Sequence, residues 1–206
     1  MIMILSRIIL FLAFSFVLFQ LIQRSKIKNK KSTTIITIII CLILLSLTAV
    51  FPVENLFIQF KSAESAFRYS SRGTIEYVIH GSDSCMVVYS DRSSTYNDSL
   101  LPMSEHGYQL PNYYGVKVIS NEIFENGSFE VLQLAGSKNY YVRGVVILDN
   151  DNIQAVDCNG NKVFTIQTGD GRTTLFYALA DTYESGYWFT INGENVVISR
   201  SAEKST

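Results

Sequence analysis

The hydrophobic pattern of the chain changes near residue 53. Two long apolar runs come first, at residues 1–22 and 33–53. At ~1.5 Å of rise per residue, each run is long enough as a helix to cross a hydrocarbon layer of ~30 Å. From residue 54 onward, short segments alternate between apolar and polar residues, as β-strands do. The pattern predicts two N-terminal transmembrane helices followed by a mainly β (α+β) outer domain.

The first apolar run has a second interpretation, a cleaved signal peptide. Its only charge is Arg7, which lies close enough to one end to reach the lipid headgroups. No motif of two small residues flanking a cleavage site follows Ile22. The basic stretch QRSKIKNKKS follows instead and resembles a stop-transfer flank. The sequence therefore favours an uncleaved membrane span.

Charge sets the expected orientation. The first 53 residues contain six basic residues and no acidic one. The loop at residues 23–32 holds five of them: Arg24, Lys26, Lys28, Lys30 and Lys31. A short basic loop between two spans stays in the cytoplasm. The chain from residue 54 onward is then expected outside the plasma membrane, with the lipid bilayer as its first partner.

Residues 54–112 predict a module made of a short helix and a β-meander. Ser62 is a candidate N-cap for an amphipathic helix over residues 62–71. Period-two alternation then predicts antiparallel strands at residues 74–80, 85–89 and 99–103.

Residues 113–200 predict an antiparallel, sandwich-like module, and residues 201–206 a frayed tail. Strands are expected at residues 116–120, 129–134, 140–148, 163–167, 173–179, 187–191 and 196–199, with Asn-Gly, Asp-Gly and similar turns between most of them. Only the stretch at residues 111–115 is a candidate boundary between the two modules. Whether the outer part forms one domain or two stays open.

Four segments of the outer part form a pattern: FKSAESAFRY at residues 60–69, residues 75–80, residues 85–89, and SEHGY at residues 104–108. The pattern resembles uncharacterised membrane-anchored extracytoplasmic proteins of Gram-positive bacteria. The resemblance implies an outer domain held at the membrane, and it implies no particular function.

The outer part is acidic. It holds 11 of the 17 basic residues and all 18 acidic ones, a net charge of −7. Nucleic-acid binding needs clustered lysine and arginine, so nucleic acid is not an expected partner.

Catalytic motifs are missing from the sequence. The two histidines, His80 and His106, fall at a strand end and in a turn, and no HExxH, GxSxG or CxxC occurs. The acidic run at Asp149 begins like a calcium loop, but Gln154 and Gly160 stand where that loop needs glycine and glutamate. No catalytic residue, cofactor or metal site is therefore predicted.

Two of the three cysteines are in the outer part. Cys85 and Cys158 would face an oxidising compartment, where a disulfide between them is possible. The alternative is that Cys85 is a small buried strand residue and Cys158 a turn residue. Cys41 lies inside the second apolar run and is not expected to pair with either.

Aromatic residues offer the best candidates for contact with a partner. All twelve tyrosines lie in the outer part, and Tyr113-Tyr114 and Tyr140-Tyr141 are adjacent pairs. Adjacent strand residues face opposite ways, so one of each pair should point outward. Trp188 lies either in the core or on the outer face of its strand. These five residues form the candidate contact surface, unless the tyrosines only reflect the composition usual for β proteins.

The sequence thus favours a membrane-anchored binding module whose ligand is an envelope protein, a peptide or a carbohydrate. Two alternatives remain. One is a cell-envelope hydrolase without a recognisable motif, and the other is an accessory subunit of a membrane complex.

Overall fold

The structure is a computed structural model that describes residues 2–24, 30–112, 115–124, 126–147, 155–181, 183, 186–191 and 194–198. Its helices are α1 (Ile2–Arg24), α2 (Lys30–Val50) and α3 (Ala63–Ser70), with a 3-10 helix at Val53–Leu56. Its strands are β1 (Thr74–His80), β2 (Ser84–Ser90), β3 (Tyr96–Ser104), β4 (Gly107–Tyr108), β5 (Val116–Phe124), β6 (Gly127–Leu134), β7 (Tyr140–Ile147), β8 (Ala155–Asp157), β9 (Phe164–Gln167), β10 (Thr173–Leu179), β11 (Tyr187–Ile191) and β12 (Glu194–Ile198).

The two N-terminal helices pack side by side. Within the described residues, one stretch is long and apolar enough to cross a membrane, Arg7–Arg24 of α1. The apolar stretch found in α2, Ser32–Ile43, is shorter. The first predicted span is thus matched by a helix of suitable length and composition, and the second stays a prediction.

Helix α3 begins where its capping residue predicts. The Ser62 side chain accepts a hydrogen bond from the Ser65 backbone N–H at 3.2 Å, and the Ser65 side chain accepts one from the Ser62 N–H. This reciprocal capping satisfies two backbone donors at the helix start. Ala63, Ala66 and Phe67 form the buried face of the helix.

The β-rich part is built from antiparallel sheets, as expected. Among the described strands, the sheets have the orders β1-β2-β3-β4, β5-β6-β7-β10-β9 and β12-β11-β8. The first sheet is a meander, whereas the second brings β10 between β7 and β9. Residues after position 155 therefore contribute to two different sheets.

The sheets are stacked through three buried clusters. On one side of the first sheet, Cys85 and Val87 of β2 pack with α3. On its other side, Met86 and Val88 of the same strand pack with the second sheet, for example with Tyr177. A further cluster joins the second sheet to the third. The layers are thus α3, the four-stranded sheet, the five-stranded sheet and the three-stranded sheet.

Several strands differ from their predicted bounds. Strand β3 starts at Tyr96, three residues before the predicted strand at residues 99–103, and β4 and β8 were not predicted as strands. Strand β2 was predicted to bury one face, but its residues Ser84 to Val88 are buried on both. The reason is that layers cover the first sheet from both sides, which one-sided alternation does not show.

Candidate functional site

A cleft of about 480 Å³ lies where α1, the end of α2, and the first two sheets meet. We call it the junction cleft. It is lined by Arg7, Pro52, Ser70, Ser71, Asp98, Ser99, Leu100, Leu110, Pro111, Asn112, Val116, Val118, Leu132 and Arg143. Its residues come from α1, from the segment that follows α2, and from both modules predicted from sequence.

An ion pair closes the helical side of the junction cleft. Arg7 of α1 donates from Nε to Glu54 Oε1 at 2.7 Å and from Nη2 to Glu54 Oε2 at 2.9 Å. The two side chains are 14% and 6% exposed. Such a two-point pair fixes geometry as well as charge, because the planar guanidinium matches the carboxylate. The pair joins the first helix to the segment that follows the second.

The next residue attaches this segment to the β-rich part. Asn55 donates from Nδ2 to the Leu110 carbonyl at 2.9 Å, and its Oδ1 accepts from the Leu110 N–H at 2.8 Å. The side chain thus satisfies both backbone groups of Leu110, much as a neighbouring strand would. Glu54 and Asn55 together hold the 3-10 helix between α1 and the cleft wall.

A second set of charges bridges the two sheets at the cleft. Arg143 of β7 donates to Asp98 Oδ1 of β3 at 2.7 Å and reaches Glu130 Oε2 of β6 at 2.6 Å. Burial lowers the pKa of Arg143, but the two carboxylates outweigh it and raise that pKa above its ordinary value. The guanidinium therefore stays charged and ties the sheets together.

The junction cleft combines polar and apolar walls. Its two arginines are neutralised by carboxylates, its rim carries serine and asparagine side chains, and Val116 and Val118 expose apolar surface. Mixed polar and apolar walls with fixed hydrogen-bonding groups are typical of ligand sites. No histidine or cysteine lines the cleft.

A polar cluster outside the junction cleft holds two turns together. Asp83 Oδ1 accepts from Ser137 Oγ at 2.5 Å, and Asp83 Oδ2 accepts from the Lys138 N–H at 2.8 Å. Ser84 Oγ lies 3.0 Å from Tyr141 Oη. Burial raises the pKa of Asp83, but these hydrogen bonds outweigh it and the net pKa is lowered. The cluster joins the β1–β2 turn to the β6–β7 turn.

Neither histidine forms a catalytic pair in the described part of the chain. His80 is exposed, and its Nδ1 lies 3.2 Å from Tyr108 Oη. It lines a small cavity with Asp157, but the Asp157 carboxylate accepts from the Asn159 and Asn161 backbone N–H groups. His106 is exposed in the β3–β4 turn. The described residues contain no cluster of three or more potential metal ligands.

The predicted aromatic surface is only partly at the surface. Trp188 is 43% exposed, while its strand neighbour Phe189 is buried. Tyr140 is half-buried, with its ring 5.1 Å from that of Tyr183.

Tyr141 was wrongly placed on the contact surface, because its side chain is fully buried. Its hydroxyl lies within hydrogen-bonding distance of Ser84 Oγ inside the structure, and burial raises the pKa of Tyr141. Tyr113 and Tyr114 lie outside the described residues.

Of the two possibilities left open for the outer cysteines, the one without a disulfide is confirmed. Cys85 is buried in β2, Cys158 lies in a turn, and the two are not joined. Cys85 packs against α3 and Cys158 packs against the cluster between the second and third sheets, so the two cysteines lie in different layers.

The residues predicted to set the orientation are described only in part. Arg24 is exposed at the end of α1, Lys30 and Lys31 begin α2, and Lys26 and Lys28 lie outside the described residues.

Sequence reasoning missed the residues that shape the junction cleft. Glu54, Asn55, Asp98 and Arg143 match no motif, and their partners are 13 to 55 residues away. One signal was present in the sequence. An arginine in an apolar run either reaches the headgroups or pairs with a carboxylate, and Glu54 is the first acidic residue of the chain.

Comparison with known proteins adds no identification. The chain matches no protein-family model, no curated protein and no solved structure.

Proposed function

We propose that the chain is a membrane-anchored extracytoplasmic binding module. Helices α1 and α2 cross the plasma membrane as a hairpin, the basic connector lies in the cytoplasm, and the β-rich domain lies outside. The apolar length of α1 supports this arrangement. The observation that carries it is the Arg7–Glu54 pair, which joins the N-terminal part of α1 to the segment just after α2. Both ends of the hairpin then lie on the side of the β-rich domain.

The ligand binds in the junction cleft. Of the expected ligand classes, namely an envelope protein, a peptide or a carbohydrate, an extended peptide fits the cleft best. Strand β5 supplies Val116 and Val118 to the cleft and is an edge strand in the order of the described sheet. Edge strands accept an added strand through main-chain hydrogen bonds, while neighbouring pockets read its side chains.

Orientation is tested by adding protease to intact cells that produce the chain with a tag in the basic connector. The β-rich domain should be removed, and the connector tag should be retained. Digestion of the tag with survival of the outer domain would reverse the proposed orientation.

Ligand binding is tested by capturing envelope peptides on the detergent-solubilised full chain. Val118→Trp should reduce capture because the larger ring fills the cleft, whereas Ile123→Trp on the same strand should not. Val118 is 55% exposed and Ile123 is 83% exposed, so neither change disturbs buried packing. Equal capture by the two variants would place the ligand elsewhere.

One observation favours the accessory-subunit alternative as well. The two N-terminal helices leave an apolar groove of about 710 Å³ between them, with Ser15, Thr37 and Cys41 among the lining residues. Small side chains let another transmembrane helix approach closely. Copurification of a membrane protein with the wild-type chain, and its loss in Ser15→Phe, would support this role.

A further inference from the structure

The segment between α2 and α3 exposes three large apolar side chains. The two most exposed are Leu56 at 77% and Phe57 at 79%. They follow closely on Val50, the last residue of α2. Phe51, at the start of the same segment, is 54% exposed. In the described β-rich part, the Ile123 side chain is as exposed as those of Leu56 and Phe57. Ile123 lies near the end of β5, at the opposite end of the strand from the cleft residues Val116 and Val118.

The exposure is not a result of a loose backbone. Glu54 is held by Arg7 through two hydrogen bonds, and Asn55 is held by Leu110 through two more. The backbone N–H groups of Phe57 and Ile58 both donate to the Glu54 carbonyl. The residues on either side of Leu56 and Phe57 are thus fixed while these two side chains point away from the protein.

We propose that Leu56 and Phe57 insert into the outer leaflet of the membrane and form an interfacial wedge. The proposal rests on the proposed crossing of the membrane by α1 and α2. The occupant of this apolar surface is lipid, because exposed Phe51, Leu56 and Phe57 all follow within seven residues of Val50, where the apolar helix α2 ends. Aromatic and aliphatic side chains next to a span settle at the boundary between headgroups and acyl chains.

Charge near the wedge is consistent with a lipid surface. Helix α3 contacts α1, so α3 lies at the membrane end of the β-rich part. Lys61 and Arg68, both exposed, outnumber the exposed Glu64 there. Cations at this depth attract anionic headgroups.

The wedge would fix the position of the junction cleft. Arg7 and Pro52, which line the cleft, lie next to the segment that carries the wedge. The cleft then opens at the level of the lipid headgroups, and its ligand is met at the membrane surface rather than far from it.

The test uses the full chain reconstituted in vesicles of phosphatidylcholine and phosphatidylglycerol that contain brominated lipids. Trp188, the only tryptophan, is replaced by Trp188→Phe, and Phe57→Trp, Leu56→Trp or Ile123→Trp is added to that background. Emission from the Phe57→Trp and Leu56→Trp chains should shift to shorter wavelength. Lipids brominated near the headgroup should quench that emission by about half, as a depth of roughly 5–10 Å requires. The Ile123→Trp control should stay unshifted and unquenched.

Each other outcome overturns the proposal in a distinguishable way. If the vesicles float with the chain but emission is unshifted and unquenched, the wedge is wrong and membrane anchoring stands. A shifted but unquenched emission would mean that protein, such as a second copy of the chain, covers these side chains. If the chain does not float with the vesicles, both the wedge and the proposed anchoring fail.

Discussion

Phe129 and Gly144 are directly opposite each other on neighbouring strands, and the Phe129 ring lies over the glycine. A side chain at Gly144 would collide with that ring. The absence of a Cβ at position 144 therefore lets Phe129 pack against Phe189, with ring centroids 4.6 Å apart. One small residue in the second sheet thus permits an aromatic contact with the third.

Replacing Gly144 should lower the stability of the β-rich domain. We expect Gly144→Ala to destabilise the β-rich domain by about 1–3 kcal/mol, because the added methyl forces the buried ring to move. Urea unfolding of the detergent-solubilised chain measures the effect. Gly169→Ala is the matched control, since nothing lies within 4 Å of a Cβ built there. Equal effects of the two changes would refute the packing argument.

The Arg7–Glu54 pair should behave as a buried ion pair. Arg7→Ala or Glu54→Ala alone should lower the free energy of unfolding by about 3–5 kcal/mol, because each leaves an uncompensated buried charge. The double variant should lower the free energy of unfolding by less than either single change. Arg24→Ala, at the exposed opposite end of α1, serves as the control. A double variant that is as unstable as the sum of its parts would show that the pair is not coupled.

Acid should weaken the link between the two β-turns. The pKa of Asp83 is lowered in the folded state, so its contribution to stability is present above the unfolded value of ~3.9 and is lost as pH falls through the folded pKa. We expect Asp83→Asn to cost about 1.5–3 kcal/mol near neutral pH. The difference in unfolding free energy between Asp83→Asn and wild type should shrink below pH ~3.9. Unfolding measured at several pH values checks this, with the exposed Glu105→Gln as the control. A difference in unfolding free energy that does not change with pH would contradict the prediction.

The two outer cysteines should differ in reactivity. Cys85 is fully buried, and burial together with the charge of Glu64 raises the pKa of its thiol to about 12. Cys158 is partly exposed. A thiol reagent should therefore modify Cys158 in the folded chain and reach Cys85 only after denaturation, as peptide mass spectrometry would show. Equal labelling rates in the folded chain would contradict the layered packing.

The sequence was most informative where local chemistry decides the structure. Ser62 marked the start of α3, and the alternation at residues 173–179 gave the bounds of β10, because capping and strand periodicity depend on near neighbours. It was least informative where a partner is remote. Asp98 lies in a polar stretch of the sequence, and nothing nearby shows that Arg143 will neutralise it inside a sheet. Tyr141 looked like a surface residue for the same reason, because its hydroxyl partner is Ser84.

Strand β2 has a consequence for how the domain opens. Its central residues Cys85 to Val88 are covered by α3 on one side and by the five-stranded sheet on the other. Local fluctuations that detach either layer still leave this strand paired to β1 and β3. Its amide hydrogens should therefore exchange with solvent only through global unfolding, which makes their exchange rate a direct readout of the stability of the whole domain.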